Sequence, residues 1–331
     1  MAKKIAINGF GRIGRLTFRS LLDNDEVKVV AINDLTDNAT LAHLLKYDTA
    51  HGTLNHDISA DDGNIFIDGD KIVALSERDP SKLPWKELGV DFVLECTGIF
   101  RSRDKASMHI KAGAKKVLIS APAQGDVKTI VLGVNENEID KNETIFSNAS
   151  CTTNCLAPVI KLLDENFGIE IGSMSTIHAY TADQNIQDAP HKDLRRARAA
   201  AQNIVPTSTG AAKAVSQVYP AIGDKIMAMA YRVPVITGSI IDITVKVEKS
   251  ATAEEVNKIF KAAANGDMKG ILKYETEPIV SSDIIGSTYS SVFDAELTTC
   301  DGDFIRVVSW YDNEAGYSTR LGELAVKLVT M

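Results

Sequence analysis

In the first half of the chain, short runs of apolar, β-branched residues alternate with segments of helical period, the pattern of a parallel sheet linked by crossovers. Lys4 to Asn8 and Val27 to Asn33 read as the first two strands, and between them Ile13, Leu16, Phe18, Leu21 and Leu22 give a helix one apolar side. Phe92 to Cys96, Val117 to Ser120, Ile130 to Gly133 and Thr144 to Ser147 are short and apolar, as strands buried on both faces are. Asp68-Gly69 between β-branched residues predicts a hairpin over 65–73.

From position 151 onward the texture changes. A helix is expected from Cys151 to Asn166, stopped by Gly168, although Pro158 inside it removes one backbone hydrogen bond. Ile169 to His178 begins a set of longer strands. The alternating runs Met227 to Val235, Ser239 to Val247 and Phe304 to Asp312 predict an antiparallel sheet covered on one side. Leu321, Leu324, Ala325 and Leu328 make 318–330 a closing amphipathic helix. The expected class is α/β: a Rossmann-type dinucleotide-binding domain, then an α+β catalytic domain with a mostly antiparallel sheet.

Composition narrows the function classes. With 331 residues, 44% of them apolar and 24% charged, the chain has material for two domains. No apolar run approaches the roughly 20 residues of a membrane span, and the N-terminus lacks the apolar core of a signal peptide. A cytoplasmic location is expected. The net charge of −8 disfavours nucleic acid as the main partner, although 192–198 is a local basic cluster. Four cysteines, Cys96, Cys151, Cys155 and Cys300, are too few for a disulfide framework and lack the spacing of a zinc site.

Two motifs carry chemistry. Gly9-Phe10-Gly11-Arg12-Ile13-Gly14 lies between a strand and a helix, and Asp34 ends the second strand twenty residues after Gly14. Glycines allow backbone to approach a pyrophosphate at a helix N-terminus, and an acid at position 34 accepts from a ribose 2′-hydroxyl and repels a 2′-phosphate. NAD is therefore expected over NADP. Arg78 and Ser120 follow other strands at the same edge.

The second motif is Ser150-Cys151-Thr152-Thr153-Asn154-Cys155, where a strand gives way to a helix. The partial positive charge of a helix N-terminus favours thiolate over thiol, and Ser150 is a good N-cap. A dinucleotide fold joined to an activated cysteine suggests aldehyde oxidation through a covalent thiohemiacetal, which needs a base and an oxyanion pocket. His178 is the best available partner. Thr181, Arg196, Thr209, Gly210 and Arg232 are candidates for a phosphate, but Arg232 is equally suited to pair with a carboxylate, and 207–210 equally to a capping segment.

At this point the chain resembles phosphorylating glyceraldehyde-3-phosphate dehydrogenase, through 7–15, 149–155, 192–198 and Trp310-Tyr311-Asp312-Asn313-Glu314. The resemblance implies that Cys151 attacks the aldehyde, that His178 is the base and stabilises the oxyanion, and that phosphate cleaves a thioester to release 1,3-bisphosphoglycerate. It implies that Thr181 and Arg232 hold the substrate phosphate, that Ser150, Thr152, Thr209 and Gly210 hold the attacking phosphate, and that Arg196 lies near both. Gly9, Gly11, Arg12, Ile13, Gly14, Asp34, Arg78, Ser120 and Asn313 would serve NAD. It further implies a homotetramer and a discontinuous cofactor domain, 1–150 with 316–331, around a catalytic domain at 151–315. One departure is Ala189-Pro190, where NAD-restricted relatives carry leucine before the proline, so some tolerance of NADP stays open. Two alternatives remain: an erythrose-4-phosphate dehydrogenase, in which water releases the acid, and a non-catalytic role in NAD sensing or in binding RNA or cell surfaces.

Overall fold

The computed structural model describes residues 2–331, divided into two compact units. Among the described residues, the first comprises those up to 130, 137–149 and 318–331; the second comprises 131–136 and 150–317.

Nine strands form the sheet of the first unit: β1 (Lys3–Asn8), β2 (Val27–Asn33), β3 (Ile58–Ala60), β4 (Asn64–Ile67), β5 (Asp70–Leu75), β6 (Phe92–Glu95), β7 (Lys116–Ile119), β8 (Lys128–Thr129) and β9 (Ile145–Ser147). Their order is β3-β4-β5-β2-β1-β6-β7-β9-β8. From β5 to β8 the pairs are parallel, and the β4–β5 hairpin is antiparallel. It turns at Asp68 and Gly69, both with positive φ (51° and 87°). The strand order reverses direction between β1 and β6, the switch point where doubly wound sheets bind ligands. Crossover helices α1 (Arg12–Leu21), α2 (Asn38–Lys46), α3 (Trp85–Leu88) and α4 (Arg103–Lys111) link the strands. Ala6, Val93, Val117 and Ile119 are buried in one core with Trp85 and Ala106.

The expected strand at 130–133 does not form. Ile130, Val131 and Leu132 are buried, but β8 ends at Thr129 and the chain turns, with Val134 and Asn135 both donating to the carbonyl of Val131. A four-residue apolar run fits a buried turn as well as a strand.

The second unit opens with α5 (Cys151–Phe167) and a seven-stranded sheet: β10 (Ile169–Ala179), β11 (Val205–Thr207), β12 (Ile226–Val233), β13 (Ser239–Val247), β14 (Leu272–Glu275), β15 (Ser291–Asp301) and β16 (Phe304–Tyr311). Its order is β11-β12-β10-β13-β16-β15-β14. Most pairs are antiparallel as expected, but β10–β12 and β14–β15 are parallel. Helix α6 (Ala211–Val218) lies in the connection from β10 to β12, whereas residues 276–290 carry the chain from β14 to β15 without an α-helix; α7 (Ala253–Asn265) joins β13 to β14. The last helix, α8 (Ala315–Thr330), belongs to the first unit from Ser318 onward. There a β-carbon on Gly322 would stand 2.9 Å from Ser20 Oγ of α1, so the two helices touch at a glycine.

One partly buried ion pair anchors the first unit beside the glycine motif. The Asp48 carboxylate, 3% exposed, accepts from Arg12 through both guanidinium Nη atoms and from the N–H groups of Ala50 and His51, each at 3.0 Å. Burial alone would raise the Asp48 carboxyl, but these hydrogen bonds and the charge of Arg12 outweigh it and hold it down to about 2, against an ordinary 3.8. A depressed carboxyl stabilises the fold above its unfolded value and loses that contribution as pH falls toward the folded one. Asp48→Asn is therefore expected to cost about 2 kcal/mol at pH 7. In urea unfolding across a pH series, its deficit against wild type should shrink between pH 4 and pH 2; a pH-independent deficit would refute the electrostatic account.

Candidate functional site

The cofactor motif folds as its glycines dictate. Gly9 has φ of 90°, and a β-carbon there would lie 2.7 Å from the Thr97 nitrogen. A β-carbon on Gly14 would lie 2.2 Å from the Gly9 carbonyl oxygen. Around Gly11 nothing lies within 4 Å of such an atom, and no side chain caps α1. An open glycine at an uncapped helix start is where a phosphate fits.

Beside it is a cavity of about 500 Å³ at the switch point. Gly9, Gly11, Asp34 and Arg78 of the expected set line it. Asp34 Oδ2 accepts from the Phe10 N–H (2.8 Å) and Oδ1 from the Thr36 N–H (3.0 Å), so the glycine loop fixes the carboxylate at the end of β2. Gly14, Arg12, Ile13 and Ser120 are not among its lining residues: Gly14 packs beneath Gly9, Arg12 is turned onto Asp48, Ile13 sits half-buried in the first turn of α1, and Ser120 follows β7 with its N–H on the Glu95 carbonyl (2.9 Å). Asn8, Asn33, Cys96, Thr97, Ile99 and Phe100 also line the cavity, and the sequence reading missed them. Their one signal was position, since each ends or follows a strand next to the switch.

In the second unit, Ser150 caps α5: its Oγ accepts the Thr153 N–H at 3.1 Å. The preceding residue, Ala149, has φ of 56°, a left-handed conformation that costs a residue with a β-carbon about 1–2 kcal/mol. The strand-to-helix turn is thus tight, and it sets Cys151 at the first helical position. Cys151 Sγ lies 3.4 Å from Nε2 of His178 on β10.

His178 is 4% exposed, and burial with the nearby Arg232 charge pushes its imidazole down to about 3. Burial likewise raises the Cys151 thiol, while Arg232 and the Thr152 hydroxyl and N–H pull the other way. The helix N-terminus expected to ionise this sulfur is therefore opposed by desolvation. Both shifts favour a neutral thiol facing a neutral imidazole, whose Nε2 can take the thiol proton in one of its two tautomers. Desolvation pushes half-buried Cys96 and buried Cys155 both up to about 12; neither has an imidazole in this position.

The far side of the ring carries the phosphate candidates. Arg232 on β12 brings Nη1 to 2.7 Å from His178 Nδ1, and donates to the Ala179 carbonyl (3.0 Å) and to Thr181 Oγ1 (3.2 Å). Its buried Nε has no protein partner, a vacancy suited to an anion. The Thr181 hydroxyl donates to Asp183, which also pairs with Arg196. Arg196 Nε donates to Thr207 Oγ1 at 3.1 Å. Cys151, His178, Thr181, Arg196 and Arg232 thus form one connected group. Thr209 and Gly210 open α6, which packs on α5; Thr209 Oγ1 accepts the Ala211 N–H at 3.2 Å.

Two expected phosphate ligands have other work here. The Ser150 hydroxyl is the helix cap, and Thr152, 5% exposed, pairs its hydroxyl with that of Tyr311 at 2.8 Å. Tyr311 also meets the Thr176 hydroxyl at 2.8 Å and sets its ring edge-on to His178, centroids 5.9 Å apart. This buried tyrosine went unread, although it sits in a motif already singled out. Asn313, two residues on, is oriented by Ser239, whose hydroxyl donates to its Oδ1 at 2.8 Å. That leaves the Nδ2 amide as the donor it can offer a ligand.

Comparison with known proteins fits this geometry. Residues 3–103 match the profile described as "Glyceraldehyde 3-phosphate dehydrogenase, NAD binding domain", and 150–313 match the corresponding C-terminal domain. The chain is 55% identical to glyceraldehyde-3-phosphate dehydrogenase of Geobacillus stearothermophilus, covering 100% of this chain and 99% of the relative. It is 55% identical to that of Thermotoga maritima (99% of each chain) and 57% identical to that of Mycobacterium bovis strain BCG (98% of each). With a glycine cradle for NAD and a cysteine–histidine pair beside a cluster of cations, the chain belongs to the glyceraldehyde-3-phosphate dehydrogenase family.

Proposed function

We propose that this enzyme oxidises glyceraldehyde 3-phosphate to 1,3-bisphosphoglycerate with NAD and inorganic phosphate, using Cys151 as nucleophile and His178 as base. The observation that carries the reading is the 3.4 Å contact between Sγ and Nε2, with the Arg232 and Thr181 donors on the other side of the ring.

His178 Nδ1 has two contacts that demand different tautomers. The Ala179 carbonyl at 2.7 Å needs a proton on Nδ1, whereas a guanidinium, which only donates, needs a bare one. Only the first tautomer leaves the Nε2 lone pair facing sulfur. A phosphate taken up by Thr181 and Arg232 draws the guanidinium from the ring and neutralises the cation nearest it. Both effects favour a proton-accepting Nε2, so binding of substrate prepares the base.

Sulfur then bonds to the aldehyde carbon as its proton passes to Nε2, and the imidazolium stabilises the developing oxyanion. NAD, when bound, supplies the hydride acceptor for this intermediate. The imidazolium returns its proton to the oxyanion, giving the thiohemiacetal hydroxyl and a free Nε2; loss of hydride from that carbon to the acceptor and of the hydroxyl proton to His178 then leaves a thioester on Cys151. A phosphate oxygen attacks the thioester carbonyl, the C–S bond breaks, and thiolate leaves with the acyl phosphate as product. Arg196, Thr209 and Gly210 serve the attacking phosphate, with Ser150 and Thr152 contributing where their present hydrogen bonds exchange. Gly9, Gly11, Arg12, Ile13, Gly14, Asp34, Arg78, Ser120 and Asn313 serve NAD.

A homotetrameric, cytoplasmic enzyme completes the reading. Its assembly is supported by exposed apolar residues on one face of the second sheet, with Ile171 on β10 and Met227 and Met229 on β12, and by Ile186 and Leu194, each more than 80% exposed. Exposed apolar clusters of this kind mark contact surfaces. No helix among the described residues is long and apolar enough to cross a membrane.

The deciding experiment measures NADH formation from glyceraldehyde 3-phosphate with and without inorganic phosphate. Turnover should require phosphate; equal turnover without it would favour the hydrolytic erythrose-4-phosphate type of enzyme. Cys151→Ser should abolish NADH formation while NAD still binds in calorimetry, and retained turnover would end the covalent scheme. His178→Asn removes the proton acceptor, so alkylation of Cys151 by iodoacetamide at pH 7 should slow about tenfold or more. Alkylation at the wild-type rate would show that His178 is not the base. With Asp34 against the ribose, kcat/KM for NAD should exceed that for NADP by at least about a hundredfold; comparable values would assign tolerance to the space at Ala189.

A further inference from the structure

Beneath the cavity lies a polar cluster that no step above uses. Glu95, the last residue of β6, and His109, on α4, are both 0% exposed, with His109 Nε2 2.9 Å from Glu95 Oε2. Trp85 fixes the ring's protonation pattern. Its indole N–H, which only donates, lies 3.0 Å from His109 Nδ1, so Nδ1 accepts and the ring proton sits on Nε2, aimed at Glu95.

The carboxylate takes three further hydrogen bonds. Asn8 Nδ2 donates to Oε2 at 2.6 Å, and the Thr97 N–H (2.8 Å) and Thr97 hydroxyl donate to Oε1. Asn8 leads into the glycine turn, and Thr97 begins the loop whose backbone lies against Gly9. From Asn8 the chain of bonds continues outward: its Oδ1 accepts from Asn33 Nδ2 at 2.7 Å, and Asn33 clasps the backbone of Glu77 through its N–H (2.8 Å) and carbonyl (2.9 Å). Asn8, Asn33, Glu77 and Thr97 all line the cavity; Glu95, His109 and Trp85 do not.

We propose that Glu95, held by His109, is the positioning residue of the NAD pocket: one buried carboxylate sets the spacing of the glycine turn and the Thr97 loop, and through Asn8 and Asn33 the segment before Arg78. A buried acid and imidazole are a poor choice for filling a core, because apolar side chains of equal volume do so without desolvation. Their use is to join three loop backbones by directional bonds that packing cannot supply. A pocket whose walls are set before binding spends less of its binding energy on ordering them. This inference rests on the reading of the cavity as the NAD site.

The test is steady-state kinetics of the full-length enzyme carrying Glu95→Gln. The amide turns one acceptor into a donor that must face an existing donor. KM for NAD should rise about tenfold or more, with kcat within about twofold and KM for glyceraldehyde 3-phosphate unchanged. Two variants at 109 accompany it. His109→Leu should reproduce the NAD effect, and His109→Gln, whose amide still donates to Glu95, should restore most of the loss. Asp34→Ala separates the two readings. If it leaves KM for NAD unchanged, the cavity is not the NAD site; if it raises KM while Glu95→Gln and His109→Leu do not, the positioning inference alone fails. An equal fall in kcat and kcat/KM in the Glu95 and His109 variants, or loss of native circular dichroism in both Glu95→Gln and His109→Leu, would also overturn it, assigning the cluster to the fold.

Discussion

The constraint on which the site in the second unit depends is the 3.4 Å approach of Cys151 Sγ to His178 Nε2, a sulfur and a proton acceptor brought together from different elements. The imidazole is buried and the cysteine half-buried, and desolvation raises the thiol, so ionisation of the sulfur is favoured only with an acceptor close by. The remedy is geometric. Sulfur sits on the first turn of a seventeen-residue helix, imidazole on the last turn-ward residues of an eleven-residue strand, and the two meet at 3.4 Å. Helices and strands hold side chains more closely than loops do. Tyr311 on a further strand closes the arrangement from below by tying Thr152 of the helix to Thr176 of the strand.

The first unit solves a different problem with different means. A dinucleotide must be approached closely by backbone, so steric permission matters most at Gly9 and Gly14, where any β-carbon would collide with backbone. Permission alone leaves loops free to move. Hydrogen bonds from side chains then fix them: Asp34 on the Phe10 N–H, Asp48 on Arg12, and Glu95 on Asn8 and Thr97. Each is a carboxyl group that accepts two or more hydrogen bonds, which offsets the cost of taking it out of water, most fully at Glu95.

How much of this the sequence disclosed depends on range. The glycine turn, Asp34 and the Ser150 cap are local patterns with fixed spacing, and they were legible. So were the alternation of strand and helix and the placement of the cysteine. His178 could be chosen only by elimination, because the contact spans twenty-seven positions. Tyr311, Asp48 and Glu95 act across 159, 36 and 87 positions and leave no local trace. The parallel pairings of β10–β12 and β14–β15 were hidden for a related reason: alternation reports that one face is buried, and says nothing of a neighbour's direction. At 130–133 burial was read correctly and geometry was not.

The places where local rules are broken are themselves informative. Ala149 adopts a conformation suited to glycine, Pro158 interrupts the ladder of α5, and Arg232 buries a guanidinium with an unpartnered Nε. Each is unfavourable alone, and the surrounding structure compensates for them. Two of the three have a chemical return. The left-handed residue makes the turn tight enough to place Cys151 at the helix start, where N–H groups offset part of the desolvation of sulfur. The buried cation lowers the thiol and the imidazole together, so it favours thiolate while opposing imidazolium. An anion that neutralises it therefore relieves the ring, which lies nearer, more than it harms the sulfur. For Pro158 the structure gives no such return.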